Sequence, residues 1–343
     1  MKKYDIYGIG NALVDTEYEV DDAFISKAGV GKGLMTLIDS DERKRLLNLL
    51  EVEHEHRAIK QAGGGSAANT MVAAAQLGAN SFYSCKVASD ETGDFFMSDL
   101  KIAGVDTNLD AGREEGITGK CISMVTPDAE RTMTTHLGIT ETLSPNELNR
   151  EALRNSTYLY IEGYLVTSPT AFEAVKETID IAKEAGVQVS LTLSDPAIVE
   201  NFKASFDALA ELGIDLIFCN EDEARLWTAA RNRGEAMARL KTVCGKVVMT
   251  CGKEGALVFD GNEETMSVGV PTKAVDTTGA GDTYLGYFAS YLDQGNAIDV
   301  AMEIASFASA IQVTRKGTSD AIPSLEKVIS FSNKPQVKTL IFD

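Results

Sequence analysis

The chain has 343 residues, 44% of them hydrophobic and 24% charged, and its 32 basic and 51 acidic side chains give a net charge of −19. A chain of this size buries roughly three quarters of its unfolded surface, so the core needs neither disulfides nor a structural metal. The acidic balance argues against a nucleic-acid backbone as partner, because no basic excess exists to release counterions.

The five cysteines are odd in number and widely spaced, and the three histidines form no zinc pattern. Reduced, buried thiols in a cytoplasmic protein are the expectation. No run approaches the roughly 18 apolar residues of a membrane span. Asp5 stands where a secretion signal would need an apolar stretch.

Residues 4–10 alternate and end in glycine, as an opening strand does. Between 12 and 38, β-prone pieces at 16–20 and 34–38 surround a tract containing Gly29, Gly31 and Gly33. A helix is predicted over 66–77, closed by Gly78, then a strand over 81–87 and a helix over 94–103 stopped by Gly104. Residues 120–126 and 131–135 read as a hairpin around the turn Pro127-Asp128-Ala129-Glu130. From there strands (158–161, 188–193, 216–219, 246–250) alternate with helices (170–185, 199–212, 221–230). That pattern predicts an α/β, doubly wound, mainly parallel sheet flanked by helices. One domain over 1–343 is expected. The irregular pieces at 12–38 and 117–135 should meet as a small β-sheet beside the core, placed to act as a lid.

Two nucleotide motifs fail. Gly8-Ile9-Gly10-Asn11-Ala12-Leu13 starts like a dinucleotide fingerprint but has Leu13 where the third glycine belongs, and no GxxxxGK[ST] occurs. The informative run is Asp276-Thr277-Thr278-Gly279-Ala280-Gly281-Asp282, which opens directly into an apolar helix. Small residues leave the backbone N–H groups bare and the helix dipole adds its positive end, which makes an anion site from backbone alone. Asp282 could be only a first-turn acid, but ordinary capping needs no Gly279-Ala280-Gly281 before it. A carboxylate beside such a cradle can deprotonate a hydroxyl that attacks phosphorus. A second cluster, Gly63-Gly64-Gly65-Ser66-Ala67-Ala68-Asn69, suits close approach of backbone to a polyhydroxyl ligand.

These two segments together resemble the PfkB (ribokinase-like) family of carbohydrate and nucleoside kinases. Further stations follow in the family's order: Asn220-Glu221-Asp222-Glu223, Thr250-Cys251-Gly252-Lys253-Glu254-Gly255, and Val313-Thr314-Arg315-Lys316-Gly317. The resemblance implies that Asp282 is the general base and that the amides of Gly279, Ala280, Gly281 and Asp282 form the anion hole. It implies that Asn220 and Glu223 organise Mg²⁺ through water, and that Thr250, Gly252, Gly255, Thr277 and Gly317 lie along ATP. Asp276 and Thr278, with backbone carbonyls near Arg315 and Gly317, match a monovalent-cation (K⁺) site, and Arg131 on the lid hairpin matches an arginine that approaches the phosphates when the lid closes.

On the acceptor side, Asn11, Asp15, Gly64, Gly65, Ser66 and Asn69 resemble groups that hold ribose hydroxyls. Ser66-Ala67 stands where ribokinases usually have Lys-Gly, and the openings 10–15 and 162–165 look like the adenosine kinase branch. There Leu13, Met35, Leu37, Met133 and Tyr164 would wall a purine. The implied activity is transfer of the γ-phosphate of ATP to the 5′-hydroxyl of adenosine or a related purine nucleoside. A ribose or fructose kinase is the alternative, and a non-catalytic sensor with this fold a third reading. The resemblance leaves monomer or homodimer open and implies no nucleic-acid or membrane partner.

Overall fold

The alternation of strands and helices predicts a mainly parallel sheet, and the computed structural model of the chain, which describes residues 2–109, 112–128 and 130–332, bears that out. The strands in chain order are β1 (Tyr4–Ile9), β2 (Leu13–Glu19), β3 (Met35–Leu37), β4 (Lys60–Gly64), β5 (Ser81–Ser84), β6 (Val105–Thr107) and β7 (Gly119–Val125). They continue as β8 (Arg131–His136), β9 (Ser156–Ile161), β10 (Gln188–Thr192), β11 (Leu216–Asn220), β12 (Lys246–Thr250), β13 (Gly255–Phe259) and β14 (Glu264–Val268).

The large sheet has nine strands in the order β14-β13-β12-β11-β10-β9-β1-β5-β6. Neighbours from β12 to β6 are parallel, and β13 and β14 add an antiparallel hairpin at one edge. Two apolar clusters, one on each face, pack helices against it, with Ile9, Val189 and Leu191 in one and Met71, Tyr83 and Phe288 in the other. The strand order turns back at β1: the chain moves to β5 and β6 on one side, then returns to β9 on the other. In open parallel sheets such a reversal leaves a crevice beyond the carboxyl ends of the strands.

The second sheet has five strands in the order β3-β8-β7-β2-β4. It gathers the two irregular stretches 12–38 and 117–135. It also takes in β4, a strand the glycine-cluster reading of 63–65 does not include, because residues 60–64 pair antiparallel with β2. Register fixes its two faces. Leu13, Asp15, Cys121, Met133 and Met35 share one side, through the pairs Asp15↔Cys121, Ser123↔Met133 and Met35↔Met133. The other side carries Tyr18, Ile122 and Met124 into a third cluster with Phe24, Ile25, Leu46 and Leu50. Phe24 and Ile25 come from a helix, Asp22–Ala28, that the glycine-rich reading of this tract does not predict; Asp21 caps its start and Gly29 its end.

Other differences are local. The helix predicted over 199–212 is two helices, Pro196–Asn201 and Lys203–Glu211, because Asp195 caps an earlier start and Phe202 leaves helical geometry. The hairpin predicted over 120–135 is β7 and β8; Ala129 of its turn lies outside the described residues. All five cysteines are free and buried. Among the described residues, no helix is long and apolar enough to cross a membrane.

Candidate active site

A cleft of about 650 Å³ opens at the carboxyl ends of β1, β9, β10, β11 and β12, roofed by the Asp15–Met133 face of the smaller sheet. Two helices, Ser66–Gln76 and Ala280–Asp293, start at its floor. Neither start has a side-chain cap: Gly65 (φ 102°) and Gly279 (φ 73°) stand at the cap positions. In the first turns, Ala67 N goes to Glu162 Oε2 at 2.9 Å and Ala280 N to the Thr277 carbonyl at 3.2 Å, and the remaining N–H groups are left for an anion or polyol cradle.

Asp282 joins the two helix starts. Its Oδ1 accepts from Ser66 Oγ at 2.7 Å and its Oδ2 from Asn69 Nδ2 at 3.0 Å. Burial pushes its carboxyl up to about 6, against the pull of those two donors. Asn69 is buried, and its Oδ1 faces no partner. Gln312 braces the turn from behind by donating to the Thr278 carbonyl at 2.9 Å and accepting from Thr283 Oγ1. A Cβ on Gly279 would lie 2.8 Å from Gln312 Nε2, in a left-handed backbone that side chains rarely adopt.

On the acceptor side, Asp15 is buried and accepts from Thr318 Oγ1 at 3.4 Å. Burial raises its pKa against the nearby Arg131 charge. Gly64 does not line the cleft but backs it: a Cβ there would lie 2.9 Å from the Asp15 carboxylate. Asn11 lines the cleft with both side-chain groups committed, its Nδ2 to Glu162 at 2.8 Å and its Oδ1 to Thr140 at 3.3 Å. Tyr164 lines it too, and its hydroxyl donates to Asp195 at 3.4 Å. Leu13, Met35, Leu37 and Met133 all face the cleft.

Toward the other end stand Asn220 and Glu223, locked in a reciprocal cap with Asn220 N to Glu223 Oε2 at 2.9 Å and Asn220 Nδ2 to Oε1 at 2.7 Å. Burial, with Asp195, Asp282 and Asp222 nearby, pushes the Glu223 carboxyl up to about 7. Extra positive charge would relieve such a group, which suits a divalent ion. No three metal-ligating side chains converge among the described residues, so an ion here would be held largely by water and phosphate. Thr250, Thr277, Thr278, Gly281 and Asp276 line the cleft, whereas Ala280, Gly252, Gly255, Arg315 and Gly317 do not. Gly255 serves the β13 turn, where a Cβ would meet the Ser267 carbonyl, and Arg315 donates to the Ala321 carbonyl at 3.4 Å.

Arg131 and Asp276, expected in two different roles, meet each other. Arg131 Nη1 donates to Asp276 Oδ2 at 2.8 Å, and both side chains are buried. Gly317 N donates to the same oxygen at 3.0 Å and Thr278 N to Oδ1 at 2.9 Å. Three N–H donors thus face the carboxylate on which a monovalent cation would have to sit. The donor set does not fit that ion.

Glu162 and Thr318 line the cleft and Gln312 braces it, and the site residues read from sequence include none of the three. Glu162 is fully buried at the end of β9, takes Asn11 N, Asn11 Nδ2 and Ala67 N, and is pushed up to about 7 by burial. A charged residue ending an apolar strand, and a glutamine in an apolar helix, are the signals that could have marked Glu162 and Gln312.

The profile of the pfkB family carbohydrate kinases matches residues 30–325. A ribokinase of Staphylococcus aureus is 30% identical over 288 residues, covering 81% of this chain and 90% of that one. A probable sugar kinase of Rhizobium etli superposes with a TM-score of 0.87 at 30% identity, covering 96% of this chain and 98% of the other. The adenosine kinase of Sinorhizobium meliloti gives a TM-score of 0.86 at 32% identity, covering 96% and 99%. Kinases of this family are phosphotransferases acting on sugar or nucleoside hydroxyls with ATP and Mg²⁺. With the profile spanning most of the chain and the fold shared from end to end, the chain belongs to the pfkB family of carbohydrate kinases.

Proposed function

We propose that this enzyme transfers the γ-phosphate of ATP to the 5′-hydroxyl of adenosine or a related purine nucleoside. The observation that carries the reading is the roof of the cleft: Leu13, Met35, Leu37 and Met133 line it, with Leu137 beside them. An apolar wall binds a flat base, whereas a free sugar gains nothing from it. Asp15, with the carboxylate backed by Gly64, and the unpartnered Asn69 Oδ1 offer acceptors to ribose hydroxyls.

In this reading Asp282 takes the proton of the acceptor hydroxyl as the new O–P bond forms and the bond to the ADP oxygen breaks. The amides of Gly279, Gly281 and Asp282, which line the cleft, stabilise the charge that develops on the transferring group. Asn220 and Glu223 would hold Mg²⁺ through water, and the ion would supply charge to offset that of the phosphates. Thr250 and Thr277 line the ATP end, with the 252–255 loop behind Thr250. The smaller sheet closes as a lid and excludes water, which limits hydrolysis of ATP.

A furanose kinase remains the second reading, because the hydroxyl-binding groups would serve a free sugar equally and a ribokinase is among the similar proteins. Initial rates from Mg·ATP to adenosine, inosine, guanosine, ribose and fructose, compared as kcat/KM, separate the two. We expect a purine nucleoside to lead. A free sugar leading would overturn the reading of the roof while keeping that of Asp282.

A further inference from the structure

Asp276 opens the turn that ends in the anion hole, and its carboxylate is almost fully withdrawn from water. A buried carboxylate needs a counter-charge and donors for its lone pairs, or it destabilises the fold and tends to take up a proton. The donors come from the turn itself and from the 313–317 segment: Thr278 N at 2.9 Å and Gly317 N at 3.0 Å. The counter-charge comes from far away in sequence. Arg131, at the first residue of β8 in the smaller sheet, lays Nη1 on Oδ2 at 2.8 Å.

The arginine is held as firmly as the aspartate. Its Nε donates to Ser123 Oγ on the neighbouring strand β7, and Glu17 Oε2 on β2 lies 4.0 Å from Nη2. The guanidinium therefore has a built socket on the smaller sheet, where the buried Glu17 and Asp15 carboxylates also lie near it, and it makes its direct ion pair with Asp276 opposite. A small cation prefers oxygen ligands and an open approach. Here Oδ2 already accepts two N–H groups, one of them cationic, so a second positive charge would be repelled from the place it would have to occupy.

We propose that the Arg131 guanidinium is the resident counter-cation of Asp276, so that this enzyme works without a monovalent metal ion. Arg131 is then a positioning residue. It acts through Asp276 on the 276–279 turn, and through that turn on the amides that receive the phosphate. It also ties the smaller sheet to the turn at the anion hole. The inference does not depend on whether the acceptor is a nucleoside or a sugar.

The test is thermal unfolding of the full chain at equal concentrations of KCl, NaCl and tetramethylammonium chloride, a cation too large for such a site. We expect the same Tm in all three salts, and phosphoryl-transfer rates in the three whose ratio is indistinguishable from unity. A Tm or a rate raised by K⁺ specifically would overturn the proposal. Arg131→Met should then lower Tm and rate in tetramethylammonium chloride and recover both as K⁺ is added, which loss of packing alone would not produce. Loss without K⁺ recovery would contradict the counter-cation role. Arg131→Lys, which keeps the charge, should remain indifferent to K⁺. If the Met variant does not fold, the wild-type and Lys comparisons still decide, since a K⁺ requirement in either would overturn the proposal.

Discussion

Asp282 can take a proton only as a carboxylate, and burial makes that form costly. With its carboxyl pushed up to about 6, half of the unliganded enzyme has a protonated base near that pH. The kcat/KM profile should therefore rise with pH through about 6 and level off above it, reporting the free enzyme. Ser66 Oγ, at 2.7 Å, donates to the charged form and so holds this value down. Removing that donor in Ser66→Ala should move the acidic limb to higher pH by about one unit, the equivalent of a hydrogen bond to a charged group. A limb that stays in place in Ser66→Ala would mean that the hydroxyl does not govern the base.

At the scale of elements, the site rests on two helix starts that glycine leaves uncapped. Gly279 is in the left-handed region at φ 73°, with Gln312 Nε2 where a Cβ would reach within 2.8 Å. Gly279→Ala should lower stability by about 1–2 kcal/mol from the backbone conformation alone. It should also reduce turnover more than acceptor binding, because it displaces the amides proposed to meet the transferring phosphate; unchanged kinetics would place the anion hole elsewhere. The Gly279–Asp282 run was legible in sequence because its signal is local: small residues followed by an apolar helix. The parallel core was legible for a similar reason, since its strands and helices alternate at regular lengths. The strand β4 was not, because Gly63 and Gly64 become a strand only by pairing with Val14 and Leu13, nearly fifty residues earlier in the chain. Glu264–Val268 also escaped, as an edge strand with alternate exposed residues and little apolar signal. The meeting of Arg131 with Asp276 bridges 145 residues, and nothing local to either announces it.

Across the whole molecule, acid groups gather in one cleft of a chain whose net charge is −19. Burial lifts Glu162 and Glu223 to about 7 and Asp282 to about 6, above their ordinary values of 4.5, 4.5 and 3.8. The folded chain therefore holds protons that the unfolded chain has released. The stability these groups contribute is complete below their unfolded values and is lost as pH rises through 6 to 7. His136, pushed down by burial, works in the opposite direction, but it is one group against these three and Asp15, Asp99 and Asp293, also raised by burial. The carboxylates with lowered values, such as Asp90, titrate at more acid pH and do not enter this window. Without ligands, Tm should thus be higher at about pH 5.5 than at pH 8, the reverse of ordinary acid sensitivity. A flat or rising Tm between those values would show that the cleft acids are better solvated or better paired than their surroundings indicate. Mg·ATP brings positive and negative charge together, and if the proposed Mg²⁺ site at Glu223 holds, Mg·ATP should weaken this pH dependence.

The most direct measurement of the account is turnover and acceptor binding in Asp282→Asn, which keeps the shape of the side chain and removes its ability to accept a proton. The account predicts a fall in kcat of about 10²–10⁴-fold, the usual contribution of a positioned base, with adenosine bound within a few-fold of wild-type affinity in calorimetry. Turnover near the wild-type value would contradict it, and would move the proton acceptor to another group in the cleft.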